Sequence, residues 1–311
     1  MTKIAINGFG RIGRAVFRAI KQNPKLQIIK INDLTDKKTL EHLLKYDSIY
    51  GKSDYNLRDI EITANKEPNL EADVVIESTG RFTDYKDASK HKAKLIIISA
   101  PSESPEIAHF VYGVNHENYF RRKKGSERSE GSYNGERVIS AGSCTTVALA
   151  NIVKKLHDNF KIINGFMTTV HSYTNDQQLL DLAHKDLRRA RAAGLSIIPT
   201  TTGAAKTVEK VIPELKDKLD GIALRVPTPI VSIIDFICQV EKKTNKEEVN
   251  NIFEDKTDEP LVSIDFKDDS RAAIVDTELT MVKDNLVKVV AWYDNEYGYS
   301  VQLVKLLEAI L

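Results

Sequence analysis

With 311 residues, of which 41% are apolar and 29% charged, the chain can bury more than one core and has the composition of a folded, water-soluble protein rather than a disordered or fibrous one. Forty-five Lys and Arg nearly cancel 44 Asp and Glu, so no net field recruits nucleic acid or an anionic membrane, and neither is expected as a partner. No apolar h-region follows Met1 and no apolar run approaches the roughly 18 residues that span a bilayer, so a cytoplasmic location is expected.

In chain order, Lys3 to Asn7 reads as a strand. Gly8-Phe9-Gly10-Arg11-Ile12-Gly13 then leads into an amphipathic helix (Val16, Phe17, Ile20) that stops before Pro24. A second apolar run, Leu26 to Ile31, ends at Asn32-Asp33. Strand, glycine turn, helix, strand and acid form the order of a dinucleotide-binding unit, with Asp33 about 20 residues beyond the last glycine. In that unit Gly8 makes the tight turn, Gly10 lets the backbone approach a pyrophosphate, Gly13 permits close helix–strand packing, and Asp33 accepts from the adenosine ribose. A Walker loop is excluded because no Gly-Lys-Ser/Thr follows, and no HRD or DFG triplet supports a kinase.

Strand-like runs at Ile60 to Thr63, Val74 to Ser78 and Leu95 to Ser99 alternate with helical stretches near Lys38 to Tyr46 and Asp84 to Lys92. The alternation predicts a parallel sheet with helices on both faces, its strand ends placing Ser78-Thr79-Gly80 and Ser99-Ala100 near a cofactor. Residues 121 to 135 are polar, glycine-rich and aperiodic, and read as a solvated surface loop. Its start, Arg121-Arg122-Lys123-Lys124, also suits a polyanion.

A short strand, Val138-Ile139-Ser140, runs into Ser143-Cys144-Thr145-Thr146 and a helical pattern. A cysteine at a helix start faces unpaired N–H groups and the positive end of the dipole, which favours its thiolate. The alternative is a small buried hydrophobe, but the hydroxyls around it suit an anion site better than an apolar pocket. Cys144 and Cys238 make no disulfide framework and both are read as reduced.

Beyond this helix strands dominate: Gly165 to Tyr173, Gly221 to Val226, Ile230 to Val240, Arg271 to Val275, Leu279 to Val282 and Leu286 to Trp292. They predict a second domain with a mainly antiparallel sheet, and a last helix, Gly298 to Leu311, able to return to the first domain. The fold class is therefore α/β: a Rossmann dinucleotide-binding domain over 1–143, completed by 296–311, plus an α+β catalytic domain over 144–295.

His171 follows three β-branched residues in a strand and is the imidazole read as the base for Cys144. Arg225 is a planar fork in an otherwise apolar strand, suited to gripping a phosphate or, alternatively, to a structural salt bridge. Thr201-Thr202-Gly203 resembles an anion nest. No HExxH or zinc spacing is present, so no metal is expected. A hydride acceptor beside a thiol suggests aldehyde oxidation: the thiol adds to the carbonyl, hydride leaves, and a thioester remains.

These motifs, together with Asp186-Leu187-Arg188-Arg189-Ala190-Arg191, Thr202-Gly203-Ala204-Ala205-Lys206, Arg225-Val226-Pro227-Thr228-Pro229 and Trp292-Tyr293-Asp294-Asn295-Glu296, run from end to end and resemble phosphorylating glyceraldehyde-3-phosphate dehydrogenase. The resemblance implies oxidation of glyceraldehyde 3-phosphate with NAD and inorganic phosphate to 1,3-bisphosphoglycerate. Cys144 would be the nucleophile, with His171 activating it and accepting the hemithioacetal proton. Thr174, Asp176 and Arg225 would hold the substrate phosphate, and Ser143, Thr145, Thr202, Gly203 and Arg225 the attacking phosphate. Arg11, Ile12, Asp33, Lys66, Ser99 and Asn295 fall at cofactor positions, Asn295 at the carboxamide-binding asparagine. Asp33 favours NAD over NADP because it would repel a 2′-phosphate. The resemblance also implies a homotetramer, with residues 175 to 203 as its interface loop.

Two asparagines usual near the nucleophile are here Ala141 and Val147. These departures motivate a different reading, a catalytically weak nucleotide-binding redox sensor; erythrose-4-phosphate dehydrogenase is the closer enzymatic alternative, disfavoured by Thr174 and Asp176.

Overall fold

The computed structural model describes residues 1–67, 69–120 and 137–311. The polar stretch singled out at 121 to 135, with the Arg121-Arg122-Lys123-Lys124 run at its start, lies outside them. The chain forms two compact units, one of Met1–Ser143 with Ser300–Leu311 and one of Cys144–Tyr299.

The first unit holds a seven-stranded, all-parallel sheet in the order Glu61–Thr63, Leu26–Asn32, Thr2–Asn7, Glu71–Glu77, Lys92–Ile98, Val138–Ser140, Ala108–His109. Strand Thr2–Asn7 is central, and Ile4, Ala5 and Ile6 are all fully buried, as a strand covered on both faces requires. Chain order reverses beside this strand, which makes the carboxyl ends of Thr2–Asn7 and Glu71–Glu77 the topological switch point where such sheets bind ligands.

A buried polar network ties those ends together. Asn7 Nδ2 donates to Glu77 Oε2 (2.5 Å), Glu77 Oε1 accepts from the Thr79 amide (2.8 Å), and Asn32 Nδ2 donates to Asn7 Oδ1 (2.8 Å) and to the Asn65 carbonyl (2.9 Å). His91 Nδ1 accepts from the Leu70 amide, so its Nε2–H points at Glu77 Oε2, 3.2 Å away. Helix Tyr85–Ala88 is consequently far shorter than the stretch expected over Asp84 to Lys92. Inward burial of His91 closes the chain through tight turns from Lys90 to Asp87 and from His91 to Ala88.

Two glycines are forced. Gly8 adopts φ +88° and a Cβ there would meet the Thr79 nitrogen at 2.7 Å; a Cβ at Gly13 would meet the Gly8 carbonyl oxygen at 2.1 Å. Helix Arg11–Lys21 can approach the sheet only because Gly13 lacks a side chain.

The second unit is built on a mixed eight-stranded sheet. Its path runs Ile198–Thr201, Leu219–Val226, Ile162–Ser172, Ser232–Val240, Leu286–Tyr293, Ile274–Asp276, Lys256–Thr257, with Met281–Lys283 also on Leu286–Tyr293. Most pairs are antiparallel, but Ile162–Ser172 runs parallel to Leu219–Val226, in a register that sets His171 opposite Arg225. Along Ile162–Ser172, Met167, Thr169 and His171 are buried while Phe166 is 70% exposed, the period-two pattern of a sheet with one covered face. Helix Cys144–Phe160 begins at the cysteine itself. The last helix, Tyr297–Ile310, starts in this unit, and from Ser300 onward its residues group with the first. Among the described residues no helix is long and apolar enough to cross a membrane.

Gly13→Ala is expected to lose roughly 1–3 kcal/mol of stability by overpacking, with a parallel loss of dinucleotide affinity. Urea unfolding and NAD titration of the same variant check it, and unchanged values in both would show that the helix has room to move.

Candidate active site

In the first unit the expected cofactor residues gather at the switch point. Gly10 is the N-cap of helix Arg11–Lys21 and supplies no capping side chain, and a Cβ built on it meets nothing within 4 Å. The open space before a helix N-terminus suits a pyrophosphate. Asp33 Oδ2 accepts from the Phe9 amide (2.8 Å) and Oδ1 from the Thr35 amide (2.9 Å), so the acid braces the glycine turn. Ser99 donates its amide to the Glu77 carbonyl (2.9 Å). Lys66 is exposed, one residue beyond Asn65, whose amide is held by Asn32 Oδ1 at 2.7 Å. Ile12 lies half-buried in the first turn of the helix. The side chain of Arg11 pairs instead with the buried carboxylate of Asp47 at 2.8 Å, which leaves its backbone as the part able to meet a phosphate. These residues fit a dinucleotide.

In the second unit the sheet register, the helix start and one tyrosine assemble the chemistry. Cys144 Sγ lies 3.5 Å from His171 Nε2. Tyr293, fully buried on strand Leu286–Tyr293, places its hydroxyl 2.9 Å from both Thr145 Oγ1 and Thr169 Oγ1, and its ring lies edge-on to the imidazole. Thr145 is thus partnered at the helix start, and Thr169 shares a strand face with His171.

His171 Nδ1 is 2.7 Å from the Ser172 carbonyl, and Arg225 Nη1 lies 2.5 Å from Nδ1 and 3.1 Å from the same carbonyl. Nδ1 faces two groups with opposite demands, the Ser172 carbonyl, which takes a proton from it, and the Arg225 guanidinium, which can only donate. In the tautomer that gives the proton to Ser172, the guanidinium donates to the same carbonyl and the Nε2 lone pair turns to the thiol. Burial, reinforced by the Arg225 charge, pushes His171 down to about 3, so it is uncharged at neutral pH.

The sequence-based expectation of a favoured thiolate is corrected here. Burial pushes the Cys144 thiol up, and it outweighs the downward pull of the Arg225 charge, the Thr145 hydroxyl and the helix-start amides. The proton therefore rests on sulfur, facing a neutral base. Cys238 is 1% exposed and burial alone pushes it up to about 12. Neither cysteine is in a disulfide.

Thr202 Oγ1 accepts from the Ala204 amide (3.2 Å) and Gly203 is the uncapped N-cap of helix Ala204–Val211. Thr174 is half-buried, its amide donating to Gln177 Oε1 (3.1 Å), and Ser143 is half-buried immediately before the cysteine. Asp176 needs correction as a phosphate contact: its carboxylate is exposed, pairs with Arg189 and lies 3.6 Å from His184. A carboxylate repels phosphate, so its evident use is to hold Arg189.

Arg189 was given no role by sequence reasoning. It donates to Thr200 Oγ1 and its charge is close enough to Arg225 to lower that group's pKa, the first cause being burial. The signal was the doubled arginine Arg188-Arg189, which does not say which member turns inward. Asn295 is 5% exposed, and its Oδ1 accepts from Ser172 Oγ (2.9 Å) and Ser232 Oγ (3.1 Å). Ala141 and Val147 are 2% and 4% exposed, so the two positions lacking asparagine are packed as apolar core. Among the described residues no group of three or more His, Cys, Asp or Glu is placed to hold a metal ion.

A parallel dinucleotide-binding sheet, with a second domain presenting a thiol to a neutral imidazole, defines an NAD-dependent oxidoreductase. The family model described as glyceraldehyde 3-phosphate dehydrogenase, NAD binding domain, matches residues 2–85, and that of its C-terminal domain matches residues 143–295. Glyceraldehyde-3-phosphate dehydrogenase of Geobacillus stearothermophilus is 48% identical, covering 98% of this chain and 96% of its own length. Glyceraldehyde-3-phosphate dehydrogenase 1 of Bacillus cereus is 47% identical over 98% and 97%, and the chloroplastic A form of Chlamydomonas reinhardtii 47% over 98% and 88%. The chain belongs to the glyceraldehyde-3-phosphate dehydrogenase family, and its cofactor is NAD.

The unfolded chain takes up a proton on His171 near 6.5 that the folded chain refuses until about 3, so this residue's contribution to stability falls as pH drops through that window. Arg225→Gln removes the second cause of the depression. The imidazole of the ligand-free variant is expected to titrate higher than in the parent, still below 6.5 because burial persists, as followed by NMR of the ring. A titration unmoved from the parent's would mean that burial alone sets the value.

Proposed function

We propose that this chain oxidises glyceraldehyde 3-phosphate to 1,3-bisphosphoglycerate, reversibly, with Cys144 as nucleophile and His171 as base. The observation that carries this reading is the 3.5 Å approach of Sγ to the Nε2 of a neutral imidazole whose other nitrogen faces the Ser172 carbonyl and Arg225. His171 draws the proton from sulfur as sulfur bonds the aldehyde carbon. It returns that proton to the aldehyde oxygen, giving the hemithioacetal hydroxyl, and takes it back as the carbonyl re-forms, leaving a thioester on Cys144. Bound NAD supplies the hydride acceptor. An inorganic phosphate oxygen attacks the thioester carbon, and Cys144 leaves as thiolate.

Anion binding falls to Arg225 with Arg189, to Thr174 on the substrate side, and to Ser143, Thr145, Thr202 and Gly203 on the side of attacking phosphate. Mutual repulsion of two guanidiniums favours a doubly charged anion between or beside them. Gly8, Gly10, Arg11, Ile12, Gly13, Asp33, Lys66, Ser99 and Asn295 serve the cofactor. The enzyme acts in the cytoplasm as a homotetramer, supported by the exposed Leu179, Leu180, Leu182, Leu187, Leu195 and Ile197 within 175–203.

Initial rates with the triose phosphate, NAD and phosphate test the reading. NADH formation is expected to require phosphate, to vanish in Cys144→Ala, and to fall roughly 10²–10⁴-fold in His171→Asn. Phosphate-independent turnover, or activity surviving in Cys144→Ala, would overturn it.

Light scattering of the purified chain is expected to give about four times the chain mass, and Leu187→Glu with Leu195→Glu to lower it. A monomer in the parent would remove the tetramer from the proposal.

A further inference from the structure

We propose that Ser172 and Ser232 are positioning residues that lock the Asn295 side-chain amide in one orientation, so that it offers the nicotinamide carboxamide N–H donors only. This rests on the reading of Asn295 as the carboxamide-binding residue.

The hydrogen bonds define the lock. Ser232 Oγ accepts the Ser172 amide at 3.1 Å, and its own proton goes to Asn295 Oδ1, 3.1 Å away. Ser172 Oγ–H reaches the same oxygen at 2.9 Å, so both lone pairs of Oδ1 are filled. Flipping the amide would set its N–H groups against two hydroxyl protons whose remaining option is each other, at 3.5 Å. Ser172 and Ser232 are 0% and 2% exposed, so water is a poor substitute. Among the described residues Nδ2 of Asn295 has no hydrogen-bond partner, although the residue is 95% buried by its 5% exposure. An amide with its oxygen saturated and its nitrogen unspent is a donor held for a ligand.

Backbone strain marks the same spot. Val231, just before Ser232, adopts φ +65°, a left-handed conformation that a β-branched residue rarely takes. Ser172 directly follows His171, so the strand that presents the base also presents one half of the lock.

The two orientations of Asn295 can be told apart by ligand choice. A locked donor serves the carbonyl of NAD and the ketone of 3-acetylpyridine adenine dinucleotide alike. A free amide can also accept from the carboxamide NH₂, which the ketone analogue lacks. Binding of both dinucleotides to the ligand-free enzyme, read by quenching of Trp292, the chain's single tryptophan, gives the ratio.

In Ser172→Ala/Ser232→Ala the ketone analogue is expected to bind about five- to tenfold more weakly and NAD no more than about twofold, the loss of one hydrogen bond falling on one ligand only. Ser232→Ala alone should shift the ratio in the same direction by less, and carries the test should the double variant not fold. An equal change for both ligands, or none, overturns the lock, because a merely structural defect cannot discriminate between them. Asn295→Asp separates the two levels of the argument. Weaker NAD binding there, with no ratio shift in the serine variants, defeats the lock alone, whereas unchanged NAD binding defeats the reading of Asn295 itself.

Discussion

The Tyr293 hydroxyl is the constraint on which the arrangement of the second unit depends. Burial pushes its proton affinity far above the ordinary phenol range, so it stays neutral and must find hydrogen-bond partners inside the protein. It finds two threonines, Thr145 in the first turn of the helix that opens with Cys144, and Thr169 two residues before His171. Because side chains alternate along a strand, fixing Thr169 also fixes the face on which His171 stands. One hydroxyl thus spans the element that carries the sulfur and the element that carries the imidazole. Removing it would leave two buried threonine oxygens short of a partner, a cost of about 1–3 kcal/mol for each group left unsatisfied.

Electrostatics then work against ionisation in the resting site. Arg225 sits opposite His171 in the parallel register and close to its Nδ1, so a protonated imidazole would face a fixed positive charge. The same charge lowers the cost of a thiolate, but burial of the sulfur prevails. Thiol and imidazole are therefore both neutral, and the hold on the imidazole loosens when something draws the guanidinium away or neutralises it. On the proposed reading a phosphate does that by its own charge, so that Arg225, as the group gripping the anion, would also govern the proton affinity of the imidazole. Asp176 is paired with Arg189, the second guanidinium whose charge is felt by Arg225.

Much of this was legible in the residues, for identifiable reasons. The glycine turn was readable because Gly8 and Gly13 meet steric limits that no other residue satisfies. The helix start at Cys144 was readable because a strand and a helical pattern abut there. The pairing of His171 with Arg225 was not, since it depends on a parallel register between strands 54 positions apart, as the His171 to Arg225 contact records. The short helix at Tyr85–Ala88 was misjudged because helical pattern says nothing about His91 being drawn inward to Glu77. Arg189 and the serines around Asn295 escaped for the same reason: their partners are fixed by tertiary contact, and no local spacing announces them.

The two cysteines show how completely surroundings decide the fate of one side chain. Cys238 lies in strand Ser232–Val240 opposite Gly165, where a Cβ on the glycine would come within 3.0 Å of its own Cβ. It is walled in, has no cation near enough to favour its thiolate, and its proton stays on up to about 12. Cys144 is also pushed upward by burial, yet it is only half-buried and is answered by a guanidinium, a hydroxyl and helix-start amides. A sulfur in that setting is held as a thiol but stands one proton transfer from reactivity, with the acceptor 3.5 Å away. Reactivity here belongs to the constellation rather than to the cysteine, and this is why Ala141 and Val147, buried and apolar, can replace polar neighbours without removing any group that acts on the sulfur.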